Sequence, residues 1–141
     1  MPRSVENRRS NAKSNLSEET LRMRGYWCFK CDSERSSPRG LSEADMIWSA
    51  LRNLLKENQE TFQFSPSKYH FSKGYSIIRC YTPDYSDRES ILKVATVIRE
   101  RIDFPYIIDY YRVNNAWKCI YRHTHAGELY KKVKKNWKLC N

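Results

Sequence analysis

The spacing of apolar residues changes along the chain, and two stretches have the period of a helix. They are residues 42–58, with Ile47, Leu51, Leu54 and Leu55, and residues 86–101, with Ile91, Ala95, Ile98 and Ile102. Ser42 with Asp45, and Ser86 with Glu89, predict a capping box at the start of each helix.

Short aromatic and β-branched stretches around these helices predict strands. They cover residues 26–31, 62–64, 75–81, 106–112 and 116–121, and residues 65–74 between the second and third are predicted to be a loop. Asn114 and Asn115 predict a hairpin turn, because Asn tolerates positive φ. Hairpins with two helices indicate an α+β fold, a mostly antiparallel sheet with helices packed on one face.

The C-terminal stretch has its own pattern. Leu129, Val133 and Trp137 recur every four residues among lysines, which predicts a basic amphipathic helix over residues 128–138. Residues 1–16 are polar and basic and are predicted to form a disordered arm. Residues 17–141 are then expected to form a single domain that ends in the basic helix.

The charge of the chain narrows the class of partner. Twenty-six Lys and Arg face sixteen Asp and Glu, a formal net charge of +10. Such an excess favours RNA or another phosphate-bearing ligand, although a basic protein without any polyanion ligand is the alternative. A protein partner is also possible, and no membrane partner is expected. The predicted phosphate-binding or nucleic-acid-binding residues are Arg79, Arg88, Lys118, Arg122, Lys131, Lys132, Lys134 and Lys135.

Aromatic residues close to these cations are candidates for base stacking, with core packing as the alternative. They are Tyr110, Tyr121, Tyr130 and Trp137.

Five cysteines, an odd number without regular spacing, argue against a disulfide framework and favour a reducing compartment. Cys28 and Cys31 match C-x-x-C, but no second such pair supplies the other ligands of a zinc site, and on a strand the two would point to opposite faces. No metal and no cofactor are therefore predicted. No apolar leader or membrane span is seen, so the expected location is cytoplasmic or nuclear.

Lys68 and His70 are two residues apart, so on an extended segment they face the same way. Such a pair can hold a phosphate or act as base and acid. The alternative is a solvated basic loop.

Several segments resemble the basophilic-leukaemia-expressed protein family, over roughly residues 17–125. They are Gly25-Tyr26-Trp27, Asp45-Met-Ile-Trp48, Phe64-Ser65-Pro66, the segment Tyr81–Arg88, Ile98-Arg99, and Tyr111-Arg112 with Trp117. The resemblance implies a fold like that of the cap-binding translation initiation factor 4E, a curved antiparallel sheet backed by helices. Fold likeness does not by itself grant function.

The same family has been likened to bacterial phosphothreonine lyases, which use a Lys base, a His acid and a cationic phosphate clamp. Gln63 stands where the family has its strand Lys, and Gln cannot act as that base. The first hypothesis is therefore a binding module for RNA or another phosphate-bearing ligand. The alternatives are a lyase-like enzyme, with Lys68 as base, His70 as acid and Arg79 and Arg88 on phosphate, and a protein-interaction domain.

Overall fold

The computed structural model describes residues 22–34, 40–62 and 64–140, and it is an α+β protein. Its elements in chain order are β1 (Gly25–Asp32), α1 (Glu43–Glu57), β2 (Ser67–Phe71), β3 (Tyr75–Thr82), α2 (Arg88–Arg101), β4 (Ile108–Arg112), β5 (Asn115–His123), β6 (Leu129–Val133) and β7 (Asn136–Leu139). The strands form one open sheet in the order β2-β3-β1-β4-β5-β6-β7. Every neighbouring pair is antiparallel.

Both helices pack on one face of this sheet, as predicted. The apolar stripe of α1 and that of α2 share one core with the side chains that alternate strand residues direct to that side. Trp27 of β1 is fully buried there, and its indole Nε1 donates a hydrogen bond to the carbonyl oxygen of Ile91 in α2 at 3.0 Å. The opposite side, which carries Tyr26, Cys28 and Arg79, is called the open face below.

The two helices begin where local signals direct them. Ser42 caps α1: its hydroxyl accepts from the backbone N–H of Asp45, and the Asp45 carboxylate accepts from the N–H of Ser42. For α2 the predicted box of Ser86 with Glu89 is wrong. Asp87 is the cap and accepts from the N–H of Ser90, while Ser86 bonds to Asp84 in the preceding turn.

The predicted C-terminal basic helix is also wrong, because residues 129–139 form the hairpin of β6 and β7. A spacing of four is a multiple of the strand period of two, so Leu129 and Val133 share a face on a strand as well as on a helix. Trp137 lies on the returning strand opposite Lys132. The connecting turn places Lys134 at a φ of 59°, in the left-handed region.

Strand β2 lies where a loop was predicted. Its residues are mostly exposed and lack apolar alternation, and it is held by pairing with β3 across a tight turn at 72–74. Of the strand predicted at residues 62–64, Phe62 and Phe64 are not in a strand, and Gln63 lies outside the described residues. The predicted arm of residues 1–16 also lies outside them.

No helix in the described part of the chain has the length and apolar character to cross a bilayer.

Gly25, at the start of β1, leaves room for a core tyrosine. A Cβ on Gly25 would lie 2.0 Å from the hydroxyl oxygen and 2.2 Å from the Cζ of Tyr110. Tyr110 is fully buried, and its hydroxyl is hydrogen-bonded to that of Thr82 on the far side of β1. The ring of Tyr110 therefore crosses directly over the backbone of Gly25, which only glycine permits.

We expect Gly25→Ala to lower the free energy of unfolding by about 1–3 kcal/mol, because the added methyl group overpacks the contact. Urea denaturation followed by fluorescence measures the change. In a Tyr110→Leu background, where the clashing ring atoms are gone, the same substitution should be much less costly. Equal losses in the two backgrounds would show that the contact with Tyr110 is not what requires glycine.

Candidate nucleic-acid interface

A broad cleft of about 790 Å³ lies at the β5–β6 end of the sheet, where the two strands diverge. In the described residues β5 pairs with β6 only from Tyr121 to His123. The register between β4 and β5 also shifts near Tyr111, so the first half of β5 is irregular on that side. This half of β5 and the tip of the β6–β7 hairpin form the walls of the cleft.

The cleft is lined by positive charge that no lining carboxylate offsets. None of the described residues that line it is acidic. Five lining side chains are cationic, namely those of Arg112, Lys118, Lys131, Lys132 and Lys134. The cleft with these five residues is called the basic cleft. Low-dielectric walls concentrate the field of clustered like charges, so such a site attracts anions.

Arg112 shows how this charge is held without a counter-ion. Its guanidinium carbon lies 3.9 Å from the ring centroid of Tyr85, and its Nε is buried without a hydrogen-bond partner among the described residues. A stacked guanidinium keeps its planar donors free, and a buried donor without an acceptor is unfavourable by about 1–3 kcal/mol.

Trp117 adds an aromatic surface to the basic cleft. Trp117 is 96% exposed, the largest exposure among the large hydrophobic residues in the described part of the chain, and it lines the cleft. Aromatic faces of this kind stack on unpaired bases without selecting a sequence. The basic cleft thus combines an exposed indole with flanking lysines, an aromatic face beside positive charge.

The predicted cations divide into several groups in the structure. Lys118, Lys131, Lys132 and Lys134 meet in the basic cleft, and Lys135 lies in the adjoining hairpin turn. Arg88 is the first residue of α2 and lies close enough to the cleft-lining Tyr121 to affect its titration. Burial raises the pKa of Tyr121, and the positive charge of Arg88 opposes that rise.

Arg122 and Arg79 lie elsewhere, on the open face of the sheet. Arg122 donates from Nε to the Asp109 carboxylate at 2.8 Å and stacks on Trp137 at 4.4 Å, so its charge is compensated. The bond to Asp109 raises the pKa of Arg122 above its usual value. Arg79 has no such partner among the described residues.

Lys68 and His70 do share one face, and both line a small pocket of about 380 Å³ beside Asp45 and Ser76. Lys68 is paired with the Asp45 carboxylate at 3.7 Å, and the Nδ1 of His70 lies 3.3 Å from the Ser76 hydroxyl. Arg79 faces the opposite side of the sheet, and Arg88 belongs to a different element. The four side chains that a lyase would need do not converge.

Sequence reasoning missed Arg112 and Trp117 as site residues, and two of the four aromatic residues it chose belong to the core. Tyr110 and Tyr121 are buried, and Trp137 is covered by Arg122. The available signal was the position of Arg112 and Trp117 on either side of the predicted turn, where a hairpin tip exposes its side chains. The structure places this turn at residues 113–114, one residue before the predicted Asn114–Asn115, and Asn115 begins β5.

The cysteines are buried or half-buried thiols. Cys31 and Cys80 lie in the core, and Cys28 is on the open face, so Cys28 and Cys31 point to opposite sides as predicted. Burial raises the pKa of Cys28 to about 11 and that of Cys31 to about 12, which keeps both thiols protonated. Within the described ranges no three His, Cys, Asp or Glu side chains cluster as a metal site.

A buried histidine anchors the segment between α2 and β4. His123 is 1% exposed and accepts a hydrogen bond at Nδ1 from the Nε of Arg99, 3.2 Å away. The other end of the Arg99 guanidinium donates to the carbonyl oxygens of Tyr106 and His123. Burial, with the Arg99 charge as the second cause, lowers the pKa of His123 from 6.5 to about 4.

No model of a known protein family matches the chain, and no curated protein is significantly similar to it. The fold and the cleft define it as an α+β protein with a cation-lined cleft at one end of an open antiparallel sheet.

Stability is expected to fall as the pH drops from about 6.5 to about 4. In that interval the unfolded state binds a proton at His123 and the folded state does not. The contribution is complete above pH 6.5 and amounts to about 3 kcal/mol. Urea titrations of the wild type and His123→Gln across this range measure it, since other groups cancel in the difference. Parallel curves for the two proteins would contradict the assignment.

Proposed function

We propose that this protein is a binding module for RNA and holds the strand in the basic cleft. The observation that carries the proposal is the gathering of five cations without a lining carboxylate, one of them a stacked arginine with a buried, unpaired Nε. Lysines and arginines that neutralise phosphates supply the sequence-independent part of nucleic-acid affinity. The exposed Trp117 adds a stacking surface that a simple inorganic anion does not need.

The resemblance to the basophilic-leukaemia-expressed protein family, and through it to the fold of translation initiation factor 4E, belongs to this proposal. An antiparallel sheet with both helices on one side is compatible with it. A cytoplasmic or nuclear location, where RNA is available, is part of the same proposal.

Phosphate elimination has less support. Lys68 is engaged by Asp45, and that carboxylate lines the same small pocket, where it repels a phosphate. Neither Arg79 nor Arg88 lines this pocket. Among the described residues, a protein-interaction role has no cluster of charged side chains comparable to the basic cleft that would define its partner.

The charge of the basic cleft is tested by removing two of its lysines. We expect Lys131→Gln with Lys134→Gln to weaken binding of a single-stranded RNA oligomer several-fold. The slope of log affinity against log salt should become shallower by about 1.4, because two phosphate contacts are lost. Fluorescence anisotropy at several salt concentrations measures both quantities.

The matched control is Lys56→Gln with Lys93→Gln, which removes the same charge from exposed positions on α1 and α2. It should change the slope little. If the two double variants lose affinity equally, net charge and not the cleft is responsible. Absent or salt-independent binding by the wild type would remove the proposal itself.

Trp117 gives a separate test of base stacking. Trp117→Ala should weaken RNA binding by about 1–3 kcal/mol, while Trp117→Phe retains most of the affinity. The melting temperature should not fall in either variant, because the side chain is 96% exposed. Unchanged affinity in the alanine variant would show that the indole does not contact the strand.

A further inference from the structure

Arg79 lies at the centre of the open face, where two tyrosines enclose it. It is in the middle of β3, opposite Ser67 of β2 on one side and Cys28 of β1 on the other. Its guanidinium carbon is 4.5 Å from the ring centroid of Tyr26 and 4.7 Å from that of Tyr69. Contact with two aromatic rings holds the guanidinium in place without engaging its N–H donors in hydrogen bonds.

No described residue offers Arg79 an acceptor. Its Nε is buried without a hydrogen bond, and it forms no ion pair with any described carboxylate. Asp109, an acidic residue of the same face, is held by Arg122 at 2.8 Å. A guanidinium that is rigid, partly desolvated and unpaired binds an oxyanion with little reorganisation.

Hydroxyl groups border the same position. The Ser67 hydroxyl and the Tyr81 hydroxyl are 2.7 Å apart, and both side chains lie on the open face beside Arg79. Hydroxyl hydrogens rotate, so either group can turn to donate to an anion. A tetrahedral phosphate, with several acceptor oxygens, uses a guanidinium edge and a hydroxyl together.

Two exposed aromatic side chains, those of Tyr69 and Phe71, continue from this position along the edge strand β2 and are called the aromatic ledge. Tyr69 is 45% exposed and Phe71 is 38% exposed. Phe71 also stacks on Tyr75 with ring centroids 4.8 Å apart and planes inclined by 14°. The two exposed rings are two residues apart on one strand, about 6.8 Å, so a base on the ledge leaves its phosphate within reach of Arg79.

We propose that Arg79, Tyr26, Tyr69 and Phe71 form a nucleotide site on the open face, with the phosphate on Arg79 and the base on the aromatic ledge. The site shares no residue with the basic cleft. It deepens the proposed RNA-binding function by adding a second contact that recognises a single unpaired nucleotide, and it rests on that function only for the identity of the natural ligand.

The probe is adenosine 5′-monophosphate, and its binding is detected by NMR of the arginine Nε–Hε groups. Saturable shifts are expected at the Arg79 Nε–Hε signal and at the Tyr69 amide. Adenosine alone and inorganic phosphate alone should each bind more weakly than the nucleotide, because each uses half of the site. Arg79→Lys should weaken nucleotide binding about ten-fold or more, since lysine cannot supply the planar edge.

Tyr69→Ala is the second variant, because its side chain is exposed on an edge strand and its loss should leave the fold intact. It should weaken binding about ten-fold. The control Arg101→Gln removes an exposed arginine of α2 that is paired with Glu57, and it should leave binding unchanged. Nucleotide binding should also persist in the variant with Lys131→Gln and Lys134→Gln.

An unperturbed Arg79 signal at saturating nucleotide would overturn the inference. Displacement by acetate or an acidic peptide as readily as by the nucleotide would also do so, since it would indicate a carboxylate-bearing partner. Either result leaves the proposed function standing if RNA affinity still depends on Lys131 and Lys134. If nucleotide binding were retained but RNA affinity did not depend on Lys131 and Lys134, the RNA-binding role of the basic cleft would be rejected and the open-face site would stand.

Discussion

The contacts of the buried Trp27 hold the central strand, one helix and the β4–β5 hairpin together, and the rest of the structure depends on them. Its indole donates to the carbonyl oxygen of Ile91, and its ring packs edge-on against Tyr110 and His123. These contacts join the central strand β1 to α2 and to both strands of the neighbouring hairpin. Because α1 and α2 both lie on this side, neither of them covers the open face.

Three arginines illustrate how the uncovered regions keep positive charge. Arg24, Arg79 and Arg112 each stack on an aromatic ring and each have a buried Nε without a described partner. Stacking orders the guanidinium without neutralising it, whereas the bond from Arg122 to Asp109 does both. We propose that this distinction separates arginines that bind a ligand from one that serves the fold.

The sequence predicted those parts of the fold whose signals are local. The Ser42–Asp45 cap and the apolar stripe of α1 act within a few residues, so the helix was found with nearly its true bounds. The Leu129–Val133 spacing suits both periods, and only the pairing of β6 with β5 and β7 decides between them. Strand β2 is stabilised by β3 and not by its own residues, so its polar sequence gave no signal.

The candidate site was predictable to the same extent. Lys118, Lys131, Lys132 and Lys134 were selected from charge, and they do meet in the cleft, although a hairpin and not a helix brings them there. Arg112 and Trp117 were missed because the register shift in the β4–β5 hairpin decides which side chains the cleft receives. The pairing of Arg122 with Asp109 depends on cross-strand register, which charge counting does not contain.

We propose that the excess cations act together in one place. The most direct measurement maps backbone amide shifts on titration with a short single-stranded RNA. We expect the largest changes at Arg112, Trp117 and the Lys131–Lys134 segment, with little change along the exposed sides of α1 and α2. Shifts spread evenly over the surface, or concentrated on the helices, would contradict it.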